Sequence, residues 1–529
     1  MKFGHSPVIV LLFFFIVSCS YRVTRPATEL VENLSADPPT LNPIAPLESS
    51  SGAIMGNVYE QLIDRDRETL AWKPKLAERW EISPDHLTYT FYLRRDVRWH
   101  DGKPFTADDV IYTYERIQDP TVDAAATRNY YRDVEFAEKL NEFTVRFRYR
   151  EPYFKAFEML GGLTVIPKHI FDDGQDFNAH PAGRAPIGTG PYRFKSWNTG
   201  RRIVLRRNDD YWGDKPAITA LVYKIIPDTS VAFQLLKKGD LDLATIRSVQ
   251  WERQATTKAF EEQFAKYRYY LPNCSYVGWN HQRPFFSDKR VRRAMTMLID
   301  RQSIVGKLLF GQGEVVSGSF YLFGPDNDAS VTPWPYDPQQ AVTLLDEAGW
   351  IDHDGDGIRD RDGVAFRFSI LMPSASKIYR SVALQLREEL AKIGVEMEIR
   401  PLEWAAMLKL FHEKTFDAAI LGWSLPVDQD PYQIWHSSQR ESGSNVFGFA
   451  NAEADQIIET ARREFDRERR AEMYQKFHRL LHEEQPVTFL FMNPSLVVVA
   501  RRFANVKEYK LGLEPLEWQV MSTEAITVW

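Results

Sequence analysis

The chain has 529 residues, a formal net charge of −6 and 26% charged residues. That length exceeds what one hydrophobic core serves, so two to four domains are expected. The weak acidity leaves no basic footprint for nucleic acid and excludes that class of function. Hydrophobic residues at 44% fit a globular body, and 13% aromatic residues suit a protein that grips small molecules by flat, amphipathic contacts.

The first element is an apolar run over residues 8–18. It is too short for a membrane span, which needs about 20 apolar residues. With Lys2 ahead of it, the run fits the h-region of a secretory signal peptide. Ile16-Val-Ser-Cys19 at its end resembles the lipobox of bacterial lipoproteins, in which the cysteine is lipidated and heads the mature chain. The expectation is removal of residues 1–18, an anchor on Cys19 and a tether over 19–28. An ordinary signal peptide with a chance cysteine is the alternative. Acyl chains, at about 0.8 kcal/mol per CH₂, hold such a protein on a membrane surface. Cys274 is then left without a partner, so a buried thiol and no internal disulfide are expected.

Beyond the tether, strand and helix signals alternate. Residues 87–93 alternate as a strand, and 143–149 alternate with Thr144, Arg146 and Arg148 on a wet face, as in an antiparallel sheet. Between them Thr106 caps a helix with acids in its first turn and Val110, Ile111, Tyr114 and Ile117 as its apolar stripe. Residues 231–238 read as a helix ended by Gly239, followed by a short strand over 241–244. Asp337-Pro338 opens another helix, closed by Gly349. Val382, Leu386, Leu390 and Ile393 mark a helical face, Gly394 stops it, and Val395, Met397 and Ile399 alternate as a strand. Residues 416–421 form a buried strand. Helices are expected over 452–465 and 467–484, and a strand over 487–492.

Catalytic and cofactor signatures are missing: no nucleophile elbow, zinc helix, C-x-x-C pair or phosphate loop occurs. Gly188-Thr-Gly190 leads into Pro191 rather than a helix. His478 and His482 have metal-ligand spacing but no third ligand, and a charged helix face explains them better. Asp352, Asp354, Asp356 and Asp360 match the start of a calcium loop, but Gly363 stands where the bidentate glutamate belongs. They form a structural-calcium candidate beside the simpler reading of an acidic hairpin. No cofactor is otherwise expected, and no enzyme activity.

Several motifs, in order, resemble the extracytoplasmic solute-binding proteins of the peptide/nickel/opine ABC importers. They are Asp37-Pro-Pro-Thr-Leu-Asn-Pro43, Lys75-Leu-Ala-Glu-Arg-Trp80, Arg98-Trp-His-Asp-Gly102, Gly188-Thr-Gly-Pro-Tyr192, Arg207-Asn-Asp-Asp-Tyr-Trp212, Gly239-Asp-Leu-Asp242 and Leu345-Asp-Glu-Ala-Gly-Trp350. The resemblance implies a two-lobed α/β fold like that of periplasmic binding proteins, with a hinge of two crossing strands. Lobe I is expected over 29–273 with an inserted subdomain around 70–185, lobe II over 274–490, and a return to lobe I over 491–529. It implies a monomer in the periplasm or on the outer face of the cell membrane, lipid-anchored. Such a protein traps a small peptide by closure and delivers it to the permease subunits of an ABC transporter. A nickel complex, haem, an opine or an oligosaccharide is the alternative ligand, and a surface sensor or adhesin the alternative role.

In peptide-binding relatives a carboxylate after a Gly-Trp pair holds the ligand's amino terminus. Here Gly422-Trp423 matches, but Pro426 and Val427 occupy the expected neighbourhood and Asp428 follows. Either an inserted residue lets Asp428 fill the role, or the ligand has no free amine there; a capped turn explains Asp428 and Asp430 equally well. Trp423, Asp428, Asp430 and Asn445 in lobe II, with Leu41, Asn42 and Tyr192 in lobe I, are the ligand-binding candidates.

Overall fold

The computed structural model describes residues 23–45, 49–441, 443–521 and 526–528. The signal-peptide and Cys19 expectations lie outside the described residues. The tether expected over 19–28 is instead part of the folded body from Val23 on, because Val23–Arg25 pairs as a strand with Ile526–Val528 and Arg25 is held by Asp242 at 2.6 Å. No helix of the described residues is long and apolar enough to cross a membrane.

Local chemistry sets the elements. Thr106 caps the helix Ala107–Gln118 by accepting from the Asp108 N–H, and Asp109 accepts the Thr106 N–H in return, closing a capping box. Asp337 caps Pro338–Glu347, with proline at the first turn. Lys377–Lys392 buries Val382, Ala383, Leu386 and Leu390. Gly394 then turns the chain at a φ of +76° into the strand Glu396–Leu402. The helix Ala452–Arg462 ends earlier than the 452–465 expected. The Arg463 N–H bonds back to the last carbonyls, and Phe465 leaves to stack on His86 with ring centroids 3.8 Å apart.

The strands form three main sheets. The first has seven strands in the order Phe264–Tyr269, Ser495–Ala500, Leu243–Thr245, Glu29–Leu34, Ala220–Ile225, Arg202–Arg207 and Tyr192–Asn198. The second has six: Glu314–Val315, Val487–Met492, Asn273–Trp279, Ala418–Ser424, Arg367–Pro373 and Glu396–Leu402. A four-stranded antiparallel sheet, Ala77–Ile82, Thr88–Leu93, Thr144–Tyr149 and Val134–Asn141, forms a subdomain. One face of the first sheet shares a core with this subdomain, joining Leu30, Leu34 and Tyr223 to Phe91, Val145 and Phe147. Its other face packs Val31 and Val222 against Phe233 and Leu236. The second sheet is covered on both faces, and Val487–Met492 is buried at every position, as doubly covered strands are.

The chain passes between the two large sheets twice, over 270–272 and over 493–494. Pro272 and Pro494 fix φ in the two crossings. The Asn273 side chain ties them together, donating to the Asn493 carbonyl at 2.9 Å and accepting its N–H at 3.0 Å. Cys274, just past the first crossing, is a buried free thiol, and burial pushes its pKa up.

Gly188 and Gly190 serve close backbone approach. A Cβ on Gly188 would lie 1.8 Å from the Val58 carbonyl oxygen, and the Gly190 N–H donates to that same oxygen at 2.9 Å. Gly188→Ala is expected to cost about 3 kcal/mol by overpacking, measured by denaturant unfolding.

Candidate ligand cleft

Strand direction locates the site. Glu29–Leu34 runs parallel to Ala220–Ile225 and Leu243–Thr245, and Arg367–Pro373 runs parallel to Glu396–Leu402 and Ala418–Ser424. Asn273 pairs with Ser424, and Thr245 with Val497, so in both sheets the parallel strands end on the side of the crossings. Ligands of open α/β sheets bind in the crevice outside such carboxyl ends. The loop over 35–45 lies there in the first sheet. In the second stand Trp423, the segment 425–431, and Glu403 with Trp404. Trp423 stacks on Tyr276 with centroids 3.7 Å apart and meets the edge of Trp435. The Tyr379 hydroxyl lies 3.3 Å from Ser275 Oγ, close beside Gly422. Trp404 is 54% exposed.

A second set of contacts joins the subdomain side to the loop after Ala418–Ser424. Arg65 donates to Asp428 at 2.7 Å and to Glu158 at 3.0 Å. Buried Lys155 donates to the Asp428 carbonyl at 2.6 Å and pairs with Glu158 at 3.2 Å. Arg467 lies 3.6 Å from Asp428 and grips Asp326 with both nitrogens. Burial raises the Asp428 pKa, but the hydrogen bond and charge of Arg65, with Arg467 and Lys155, outweigh it and hold the group below the usual carboxylate range. Asp430 accepts from Tyr153 at 2.8 Å and from Arg462 at 3.1 Å. The Phe154 N–H donates to the Arg462 carbonyl at 2.9 Å, and Arg463 pairs with Glu151.

Each residue expected at the site now has a place. Asp428 and Asp430 come together, but as partners of protein cations rather than as free carboxylates. Trp423, at the end of the strand before them, keeps part of its ring open. The other four are committed to the scaffold. Leu41 is fully buried, its N–H donated to Gly183 at 2.7 Å. Asn42 caps the Ile44 N–H at 3.1 Å. Tyr192 is fully buried with its hydroxyl on the Ile218 carbonyl at 3.0 Å. Asn445 bonds His436 and Phe449 at both ends of its amide. Tyr192 and Asn445 thus have no face left for a ligand, because their polar atoms close turns of the fold. Arg65, Tyr153 and Lys155 were not foreseen: they lie 363, 277 and 273 residues from their partners, and no local pattern announces them.

The acidic loop brings carboxylate oxygens of Asp352, Asp354 and Asp356 within 4.8 Å of one another, all exposed. Asp352 already accepts the Gly355 and Gly357 N–H groups, and Asp354 and Asp356 each accept one more. Asp360 leaves the set, because it accepts both the N–H and the ring nitrogen of His353. His478 does not lie on a charged helix face as expected: it is fully buried between Ser317 Oγ and the Asp328 N–H, each at 3.0 Å. His482 stacks on Trp334.

Comparison with known proteins bears on this architecture. Residues 71–445 match the model for bacterial extracellular solute-binding proteins, family 5 Middle. The oligopeptide-binding protein AppA of Bacillus subtilis is 32% identical over 481 residues, spanning 88% of this chain and 86% of the relative. Its structure in complex with a nonapeptide superposes with a TM-score of 0.81 at 30% identity, covering 93% of this chain and 98% of that one. NikZ from Campylobacter jejuni in complex with Ni(L-His) gives a TM-score of 0.80 at 26% identity, covering 94% and 100%. This chain belongs to the bacterial extracellular solute-binding proteins of family 5.

Proposed function

We propose that the protein captures peptides outside the cytoplasm by closing two lobes around them and delivers them to the permease of an ABC importer. The observation that carries this reading is mechanical. Two large sheets are joined by two short crossings, and ion pairs meet on the side of the subdomain. Such an arrangement has an open and a shut form, and a ligand touching both lobes selects the shut one. Lobe I then comprises 29–273, with the subdomain around 70–185, and the return over 491–529; lobe II comprises 274–490. Similarity to AppA, solved with a nonapeptide, supports a peptide as cargo. Trp423 offers an aromatic face to it, and main-chain hydrogen bonds supply sequence-tolerant affinity. Capture breaks no bond in the cargo. Calorimetry with a pool of synthetic nonapeptides, followed by mass spectrometry of the released peptide, is expected to show binding and an intact ligand. Absence of binding to any peptide, or a cleaved product, overturns the reading.

An anchor on Cys19 completes it, holding the monomer beside the permease and raising its effective concentration there. Cys19→Ala is expected to abolish lipid labelling and release the protein from membranes; unchanged labelling contradicts the anchor. The acidic loop keeps its shape through its own hydrogen bonds, so chelator is expected to leave the melting temperature unchanged.

A further inference from the structure

Glu32 lies in the central strand of the seven-stranded sheet, two residues before its carboxyl end. It shares a face with Leu30 and Leu34, the face against which the subdomain packs. Leu30 and Leu34 are buried, whereas Glu32 stays partly open to solvent. Its register neighbours are Tyr223 and Leu243. Tyr223 does not serve it, because that hydroxyl is held by Asn57 at 3.1 Å and by the Ala53 carbonyl at 3.3 Å. Tyr269, the last residue before the first crossing, is the other titratable neighbour. Among the described residues the Glu32 carboxylate meets no hydrogen-bond donor and no cation.

Nearby acids are treated differently. Glu29 pairs with Arg206 at 3.2 Å. Asp242 is gripped by Arg25 and Arg502. Glu60 holds Lys75, Tyr211 and Trp212. Burial without a partner pushes the Glu32 pKa up to about 7. A partly buried carboxylate with no partner is costly, and such groups gather at functional sites.

We propose that Glu32 receives a cationic group of the cargo, an ammonium or a guanidinium, and so sets the specificity of the cleft. The inference rests on the peptide reading above, and it gives the cargo's charge a partner that Asp428, already neutralised by Arg65, does not offer. In a peptide the cation comes from the amino terminus or from a lysine or arginine side chain.

The test is calorimetry on wild type and Glu32→Gln with four nonapeptides of one sequence, with free or acetylated amino terminus and with or without a lysine. Glu32→Gln is expected to lose about 30-fold in affinity for the peptide bearing the recognised cation, and less than about twofold for the peptide lacking it. Sensitivity to acetylation assigns the amino terminus, and sensitivity to the lysine assigns the side chain. Binding at pH 7 is expected to release protons from wild type, read as buffer-dependent heat, and to release none from the variant. A melting temperature for Glu32→Gln at pH 8 no lower than wild type confirms folding. Equal affinities of the two proteins for every cationic peptide overturn the proposal. If no peptide binds wild type, the peptide reading fails, and Glu32 is then judged on the molecule carried from the cell, by native mass spectrometry. A cationic molecule kept by wild type and lost from the variant supports the proposal. A neutral or anionic one kept by both overturns it.

Discussion

Asp428→Asn is expected to weaken peptide binding about 30-fold, or about 2 kcal/mol, without Asp428 touching the peptide. The side chains of Asp428 and Arg65 are 25% and 16% exposed, so the pair is partly screened and the loss falls below that of a fully buried one. The substitution leaves Arg65 and Arg467 facing a neutral amide, and the shut form loses their attraction. A ligand that needs the shut form then binds in proportion to the fraction of molecules able to shut. A double-mutant cycle checks the route. Arg65→Ala is expected to weaken binding similarly, and the double variant little more than either single one. Additive losses would mean that Asp428 acts on the ligand itself. Raised salt is expected to narrow the gap between wild type and variant.

Stability is expected to fall steeply as the pH drops from 6.5 to 4. Burial holds three histidines neutral, pushing His281 down to about 3 and His478 and His100 each to about 4. Their rings are built into the fold. His100 binds the Gly190 carbonyl and the Gly188 N–H, and His281 lies 3.2 Å from the Pro486 carbonyl. The unfolded chain takes up protons at these rings near pH 6.5 and the folded chain does not. Their contribution is therefore complete above pH 6.5 and is lost as the pH falls toward 4. At about 1.4 kcal/mol per unit, each histidine carries roughly 3 kcal/mol or more. Glu32 works the other way. Its raised pKa makes the folded chain hold a proton between about 4.5 and 7, so its contribution fades as pH rises and offsets about one histidine. Thermal melts across this range, repeated with His478→Gln, are the check. A flat profile in wild type, or an unchanged slope in the variant, contradicts the assignment.

Much of the fold was legible because its signals are local. The Thr106 capping box, Asp337-Pro338 and the stripe ending at Gly394 each act within a few residues, and the helix Arg467–Glu484 and the strand Val487–Met492 fall where the pattern put them. The ordered motifs pointed to the family, and the match over residues 71–445 shows it. The site was less legible, because its chemistry is made by distant pairings. Glycine-rich and proline-rich motifs drew attention to Asn42 and Tyr192, yet here those motifs shape turns, and the two side chains are spent on closing them. Arg65 and Lys155 look like any surface cation until the chain folds. Glu32 sits on the apolar face of its strand, between Leu30 and Leu34; its isolation emerges once its neighbours' partners are known.

Small-angle scattering with and without a bound nonapeptide tests the closing of two lobes most directly. The account predicts a smaller radius of gyration for wild type on binding, and an Asp428→Asn protein that stays more open before ligand is added. A peptide bound tightly with no change in the scattering profile would contradict it.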